Sequence, residues 1–319
     1  REISPSYHCF ETWICRDGAI LAERAGVPFS AEELEKLDNA VAMLELVYQP
    51  NGKSIVLNDG YPINLKPFFT TFSRDTKIDK GFYSLKDAQL ATWREKDIFA
   101  FLDASPFTGT FSHYHGGKNA LTLWWQNKAF LVDSACCNYD DSKFATWYKL
   151  GEAHSTLLVD GISDAELSGT YDWKQFPEIA LDPWQADGQK AAIKACLTSS
   201  LWQNVKWCRS LEVDNAEIEN KLCLTDEVYC DREIELNFLF TFHPDVTAEL
   251  NKAGIKLNNG ESSLEFCWQL WVGEKEVELC AEILDGEVYD EFERKAAQRL
   301  SLKAKIDQNA IMKTSFRFI

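Results

Sequence analysis

A mixed chain, helical at its N-terminal end and then folded as a large antiparallel β-sandwich, is what the hydrophobic periods of this sequence predict. Three observations carry that expectation. Up to about Thr71 apolar residues recur at helical spacing, beyond Asp79 the period changes to two, and turn signals such as Asn258-Asn259-Gly260 separate the later runs. The two parts divide as residues 1–78 and 79–319.

Ser4-Pro5 supplies an N-cap and a first-turn proline, and a helix is expected from there to Gly26 with Phe10, Trp13, Ile14 and Leu21 as its apolar positions. Ser30-Ala31-Glu32-Glu33 is a capping box, after which Leu34, Leu37, Val41, Leu44 and Val47 form one stripe running to Tyr48. The two helices are expected to pack as a hairpin. Gln49-Pro50-Asn51-Gly52 stops the second helix, and Asn58-Asp59-Gly60 reads as a further turn.

In the β part, Leu121 to Trp125 and Ala129 to Val132, separated by Gln126-Asn127-Lys128, predict a hairpin that carries Asp133 back beside His113-Tyr114-His115. His154 to Val159 is a third strand ending at Asp160-Gly161. Ile234, Leu236, Phe238, Phe240 and Phe242 alternate with Glu235, Asn237, Leu239 and Thr241, the pattern of a strand with one face in a core. Ile255 to Leu257 turns at Asn258-Asn259-Gly260 into Leu264 to Trp271, the clearest hairpin of the chain. Many such strands argue a sandwich. His243, before Pro244 at a strand end, reads as structural, and the charged stretch from Asp285 to Arg299 as an exposed loop or short helix.

Composition excludes several classes. With 319 residues, 45% of them hydrophobic and 13% aromatic, the chain can bury a sizeable core. A net charge of −17 argues against nucleic acid, whose phosphates need clustered Lys and Arg. No run of about 18 apolar residues is present to span a bilayer, and no charged-then-apolar leader opens the sequence. The chain begins at Arg1, without a methionine, as expected of a fragment or a processed form. Its ten cysteines show neither metal-binding spacing nor the density of a disulfide scaffold, which leaves the compartment open.

Imidazole is scarce, with five histidines in the chain, yet three of them fall between His113 and Gly161. Side chains at i and i+2 point the same way from an extended backbone. His115, Asp133 and His154, converging from three strands, would make a zinc set of two imidazoles and a carboxylate with a position left for water. The plainer reading is three hydrogen-bonded residues in a half-buried sheet.

In order along the chain stand Ser4-Pro5-Ser6-Tyr7-His8, His113-Tyr114-His115, Leu131-Val132-Asp133, Tyr139, Ala153-His154-Ser155-Thr156 and Val159-Asp160-Gly161. This series resembles the heparinase II/III family of polysaccharide lyases, which includes heparin, heparan sulfate and alginate lyases. The resemblance covers most of the chain. It implies the last helices of an (α/α) toroid followed by a large antiparallel β-sandwich, with the active cleft between them. It further implies β-elimination on an anionic, uronic-acid-containing polysaccharide, and a periplasmic or secreted location. In that reaction the substrate carboxylate is neutralised, a base removes the C5 proton and an acid protonates the leaving O4. Tyrosine, with an unperturbed pKa of about 10, suits the donor's part at neutral pH, whereas His near 6.5 can accept. The resemblance therefore makes Tyr7 the acid, or acid and base both, and His113 the base or the carboxylate's partner, with Tyr139 as a second candidate. It places a structural zinc on His115, Asp133 and His154. His8, Lys118 and Lys149 become candidates for substrate contact, with Lys143 a further cation nearby in sequence. The family's carboxylate-neutralising Asn or His belongs to toroid helices that precede the Tyr7 segment.

Three positions depart from the family pattern. Gly117 stands where many members have Asp, Ser155 replaces the usual Asn, and Lys149 stands where Arg is common and cannot give a bidentate contact. Two rival classes make different demands. A cupin-like metal oxygenase needs a Glu soon after His115, and none occurs before Glu152. A non-catalytic carbohydrate-binding sandwich, stacking sugars on some of the 11 tryptophans, leaves the Tyr7 motif unexplained. A lyase that has lost its activity would be separated from a live one by assay on uronic polysaccharides.

Overall fold

The computed structural model describes residues 3–73, 79–110, 113–139, 142–188, 190–214 and 222–319. The expected boundary at residue 78 lies outside them. Three helices come first, α1 (Pro5–Arg24), α2 (Ala31–Leu46) and α3 (Leu65–Thr71). The capping box of α2 is formed as expected, with Ser30 and Glu33 satisfying each other's backbone N–H. The first two helices pack side by side, and the His8 Nε2–H donates to the Ala40 carbonyl across them at 2.7 Å.

The buried face of α1 is not the predicted one. Phe10 is 62% and Leu21 64% exposed, while Pro5, Ser6, Cys9 and Thr12 are buried. Small residues win because the first turn of α1 lies close against the Asn58-Gly60 turn: the Tyr61 N–H donates to Ser6 Oγ at 3.3 Å, and Asn58 Nδ2 donates to the Ile3 carbonyl at 2.6 Å.

Five antiparallel strands follow in sequential order, β1 (Gly81–Leu85), β2 (Leu90–Arg94), β3 (Ile98–Asp103), β4 (Ala120–Trp125) and β5 (Lys128–Leu131). The period of two in β3 serves two cores at once. Phe99 and Phe101 pack with Val41, Leu44 and Phe69 of the helices, whereas Ile98, Ala100 and Leu102 belong to the sandwich core. This sheet is thus a layer between helices and sandwich. The β4–β5 turn has Gln126 and Asn127 at φ 49° and 60°, the conformation a tight two-residue hairpin requires.

Helix α4 (Lys143–Lys149) and a short 3₁₀ turn at Gly151–Ala153 lead into β6 (Leu157–Val159) and a small hairpin of β7 (Glu166–Leu167) and β8 (Trp173–Gln175). The remaining strands are β9 (Glu178–Leu181), β10 (Gln185–Asp187), β11 (Lys190–Thr198), β12 (Lys206–Asp214), β13 (Leu222–Tyr229), β14 (Ile234–Thr241), β15 (Thr247–Asn251), β16 (Gly254–Asn259), β17 (Ser262–Val272), β18 (Lys275–Val277), β19 (Cys280–Asp290), β20 (Glu293–Ile306) and β21 (Ala310–Phe318). One sheet runs β10-β11-β12-β13-β21-β17-β16-β15, with β9 on β11 and β18 on β17; a second runs β19-β20-β14-β6. Leu197, Leu211, Leu224, Leu264 and Phe316 of the first meet Leu236, Phe238, Phe240, Leu300 and Leu302 of the second in one core. The fold is therefore mostly antiparallel sheet with a few N-terminal helices.

Two further expectations change. The stretch from Asp285 to Arg299 is neither loop nor helix but most of the β19–β20 hairpin, turning through Glu291 and Phe292 at φ 51° and 65°. Its tip reaches the connection between α2 and α3: Glu291 pairs with Lys53 at 2.6 Å and Phe292 lies 5.8 Å from the Tyr61 ring. Cys196 and Cys208, which no spacing rule singles out, are register partners on β11 and β12 and form a disulfide.

Beneath the site a fully buried ion pair between neighbouring strands, β12 and β13, reaches the segments that lead into β4 and β6. Arg209 donates to Asp226 through Nε at 2.7 Å, and its Nη1 donates to the carbonyls of Asn119 and Ser155 at 2.9 Å each.

Candidate functional site

Neither His113 nor His115 lies in a strand, yet both turn to one carboxylate, that of Asp59. The His113 Nδ1–H donates to Asp59 Oδ2 at 2.7 Å and the His115 Nε2–H to Asp59 Oδ1 at 2.8 Å, with Lys149 Nζ 3.9 Å away. Asp59 is fully buried. Burial alone would raise its carboxyl, but the hydrogen bonds from both histidines and the charges of His115 and Lys149 outweigh that and hold it well below the usual carboxylate range.

The backbone is clamped around this pair. The Asp59 N–H donates to the His113 carbonyl at 3.2 Å, His115 N–H to Asn58 Oδ1 at 3.0 Å, and Gly116 N–H to the Lys149 carbonyl at 2.8 Å. Asp164 accepts from the N–H groups of Gly117 and Lys118 at 2.6 and 3.0 Å. Gly117 sits at φ +76°, and a Cβ there would lie 2.8 Å from His154 Cβ and 2.9 Å from its Cδ2. Any side chain at this position is disfavoured by both the backbone and the imidazole, and the N–H groups of Gly117 and Lys118 are satisfied by Asp164. Gly117→Ala is expected to destabilise the protein by about 1–3 kcal/mol, through left-handed backbone strain and collision with the imidazole. Chemical denaturation checks it, and an unchanged midpoint would contradict this packing.

On the inner side, His154 donates from Nδ1 to Asp133 Oδ2 at 2.9 Å and from Nε2 to the Tyr148 carbonyl at 3.0 Å. Both partners are acceptors, so both ring nitrogens carry protons. Burial opposes charge on this pair, yet their mutual attraction raises the His154 pKa and lowers that of Asp133. The His115 ring stands 5.5 Å from that of His154. Burial, partly offset by Asp59, lowers the His115 pKa, and its Nδ1 is buried without a hydrogen-bond partner. Among the described residues, the set able to offer a metal one ligand atom each within 4.8 Å is Asp59, His115 and Cys136. The expected trio of His115, Asp133 and His154 does not converge from three strands: His115 lies in a loop, Asp133 just past β5 and His154 at the end of the 3₁₀ turn. Cys136 is a poor thiolate ligand in this setting, because burial and the neighbouring Asp59 raise its pKa and it donates to the Asn138 carbonyl.

On the outer side, the first turn of α1 brings Tyr7 to Tyr139, hydroxyl to hydroxyl at 2.7 Å. The half-exposed His113 ring lies 5.5 Å from that of Tyr7, 5.9 Å from Tyr139 and 4.8 Å from Tyr171. Tyr139 is 42% exposed, and burial of its remainder together with the Tyr7 hydrogen bond raises its pKa, keeping the phenol neutral. Lys149 is buried behind them, donating to the Thr170 carbonyl at 2.7 Å and lying 5.0 and 5.6 Å from the rings of Tyr171 and Tyr139. Two of the other expected contacts are occupied. Lys118 is 1% exposed, its ammonium held by Asn58, Ser105 and Asp103 at 3.0, 2.9 and 3.2 Å, so it braces the loop. The Nε2 of His8 is spent on Ala40, while Lys143 lies exposed on α4.

Sequence reading missed Asp59, Asp164 and Tyr171. Asp59 was visible only as the middle of a turn signal, and its distance in sequence from His113 leaves no periodic trace.

A family model described as heparinase II/III-like, C-terminal, matches residues 77–313. Among solved structures, a heparinase III is similar over 99% of this chain and 53% of its own, with 14% identity and a TM-score of 0.81. The heparan sulfate lyase HepC from Pedobacter heparinus matches 100% of this chain and 52% of its own, with 15% identity and a TM-score of 0.80. At these identities the likeness is one of fold. The chain spans about half the length of the structures it matches. No curated protein matches the sequence.

Proposed function

From its membership of the heparinase II/III-like C-terminal family, to which this chain belongs, we propose that it carries part of the active site of a polysaccharide lyase that cleaves a uronic-acid-containing polymer by β-elimination. One observation supports this above others: a phenol pair, Tyr7 and Tyr139, and the imidazole of His113 meet at one half-exposed place. Those groups can serve as the base and the acid that elimination needs. In the neutral ring, an Nδ1–H donating to Asp59 makes Nε2 the proton acceptor. His113 then takes the C5 proton on Nε2 and Tyr7 gives its own to the leaving O4, with Tyr139 able to pass a proton to Tyr7 through the shared hydrogen bond; where a protonated His113 instead pairs with the carboxylate, Tyr7 takes the C5 proton and returns it to O4.

The helices are read as the end of an (α/α) toroid. The exposed apolar residues Phe10, Ile14, Leu21 and Leu34 are the kind of surface that further helices would cover.

A structural zinc is proposed on His115, Asp133 and His154. The donor set suits it: the Nδ1 of His115 is buried without a hydrogen-bond partner while its Nε2 is tied to Asp59, and the Nδ1 of His154 faces the Asp133 carboxylate at 2.9 Å, where a zinc ion would take the place of the proton they share. Bound there, zinc supplies a cross-link beneath the site.

The test is incubation of the full-length protein with heparan sulfate, heparin and alginate while following ultraviolet absorbance. Elimination leaves a conjugated, absorbing product. Reducing ends without absorbance would point to a hydrolase, and binding without product to a non-catalytic carbohydrate module.

A further inference from the structure

Elimination as described makes no use of Asp59, the buried carboxylate that lies against His113. We propose that Asp59 is a positioning residue of the reaction, fixing the tautomer and direction of the His113 ring; this rests on the elimination reading above. The carboxylate can only accept, so its 2.7 Å contact requires the proton of His113 to sit on Nδ1. The same residue grips His113 a second time, because its own N–H donates to the His113 carbonyl at 3.2 Å. Ring and backbone are therefore set by one residue. Asp59 is itself immobilised, with no exposed side-chain surface and its other oxygen on His115.

The neighbouring Asn58 extends the arrangement to the acid. Its Oδ1 accepts from the His115 N–H and from Lys118 Nζ, each at 3.0 Å, and its Nδ2 donates to the Ile3 carbonyl, just before the helix that carries Tyr7. Two adjacent residues in one turn thus hold the helix of the phenol and the loop of the imidazole in register. A carboxylate that orients a catalytic imidazole acts on the chemical step and leaves substrate affinity nearly untouched, because it never touches the sugar.

Asp59→Asn in the full-length protein tests this. The side chain keeps its size, but an amide nitrogen would face one of the two ring N–H groups, so one imidazole must change tautomer or turn away. The expected result is a loss of kcat on the order of 10²-fold with KM changed by less than about twofold. Nitrogen NMR of the imidazoles should show Nδ1–H for His113 in the unsubstituted protein and its loss in the variant. A folded variant that has lost the His113 Nδ1–H yet keeps full kcat, or one whose loss lies mainly in KM, would overturn the proposal. So would an unsubstituted protein whose His113 carries its proton on Nε2, a reading available even where Asp59→Asn does not fold. Failure of the elimination reading shows separately, as absence of unsaturated product from the unsubstituted protein, while the NMR result stands on its own.

Discussion

His113→Ala in the full-length protein is expected to reduce turnover by roughly 10²- to 10⁴-fold, the range for a lost general acid or base, while the content of the proposed zinc stays unchanged and the melting temperature moves little. The structure explains the separation. His113 is the half-exposed member of the pair, and without it Asp59 retains His115 at 2.8 Å and Lys149 at 3.9 Å. His115→Ala should behave differently, because that ring is buried between Asp59 and His154. Metal and thermal stability go first, and activity falls as the loop loosens. Tyr7→Phe, which deletes one hydroxyl and its 2.7 Å bond to Tyr139, should resemble His113→Ala in all three measurements. Elemental analysis, thermal melts and the absorbance assay read them out. Loss of metal from His113→Ala, or full activity in Tyr7→Phe, would show that these roles are wrongly assigned.

The second large effect is on stability, away from the tyrosines. Arg209→Met is expected to cost about 3–5 kcal/mol, the range for removing one partner of a buried ion pair. Asp226 would keep only the Trp207 indole N–H, at 2.8 Å, of the donors it has now. The carbonyls of Asn119 and Ser155 would lose their donor as well. Those two residues adjoin Lys118 and His154, so the loss reaches the site through the backbone. Because a buried charge pair contributes little net stability against an apolar replacement, Arg209→Met combined with Asp226→Leu should recover part of the loss. Denaturant titration of both variants decides it. A single substitution costing under about 1 kcal/mol would mean that the pair is already hydrated.

Much of the fold was legible because its signals are local. The α2 capping box lies within four residues, the β16–β17 turn within three, and the alternation from Ile234 to Phe242 within one strand. Even there the context intervened. Leu239, assigned to the polar face of β14, is buried, as is Thr241 on the same face, whose hydroxyl donates to the Ala153 carbonyl of the 3₁₀ turn. The exposed α1 residues failed the opposite way: a stripe read as core faces solvent, since a close backbone approach selected serine, cysteine and threonine for the inner face.

The sequence by itself determined the change of period, the hairpins and the order of the Tyr7, His113–His115, Asp133 and His154 segments that marks the family. Only the tertiary structure decided which groups face one another. It brought Asp59, 54 residues from His113, beneath both histidines, buried Lys118 where a surface cation was expected, and set Gly117 against the His154 ring. The physical reason is one of range. Capping, turn chemistry and periodicity are written in neighbouring residues, whereas the partner of a buried charge is chosen by desolvation, which drives each such group to whatever complementary atom the packed chain brings within hydrogen-bond distance.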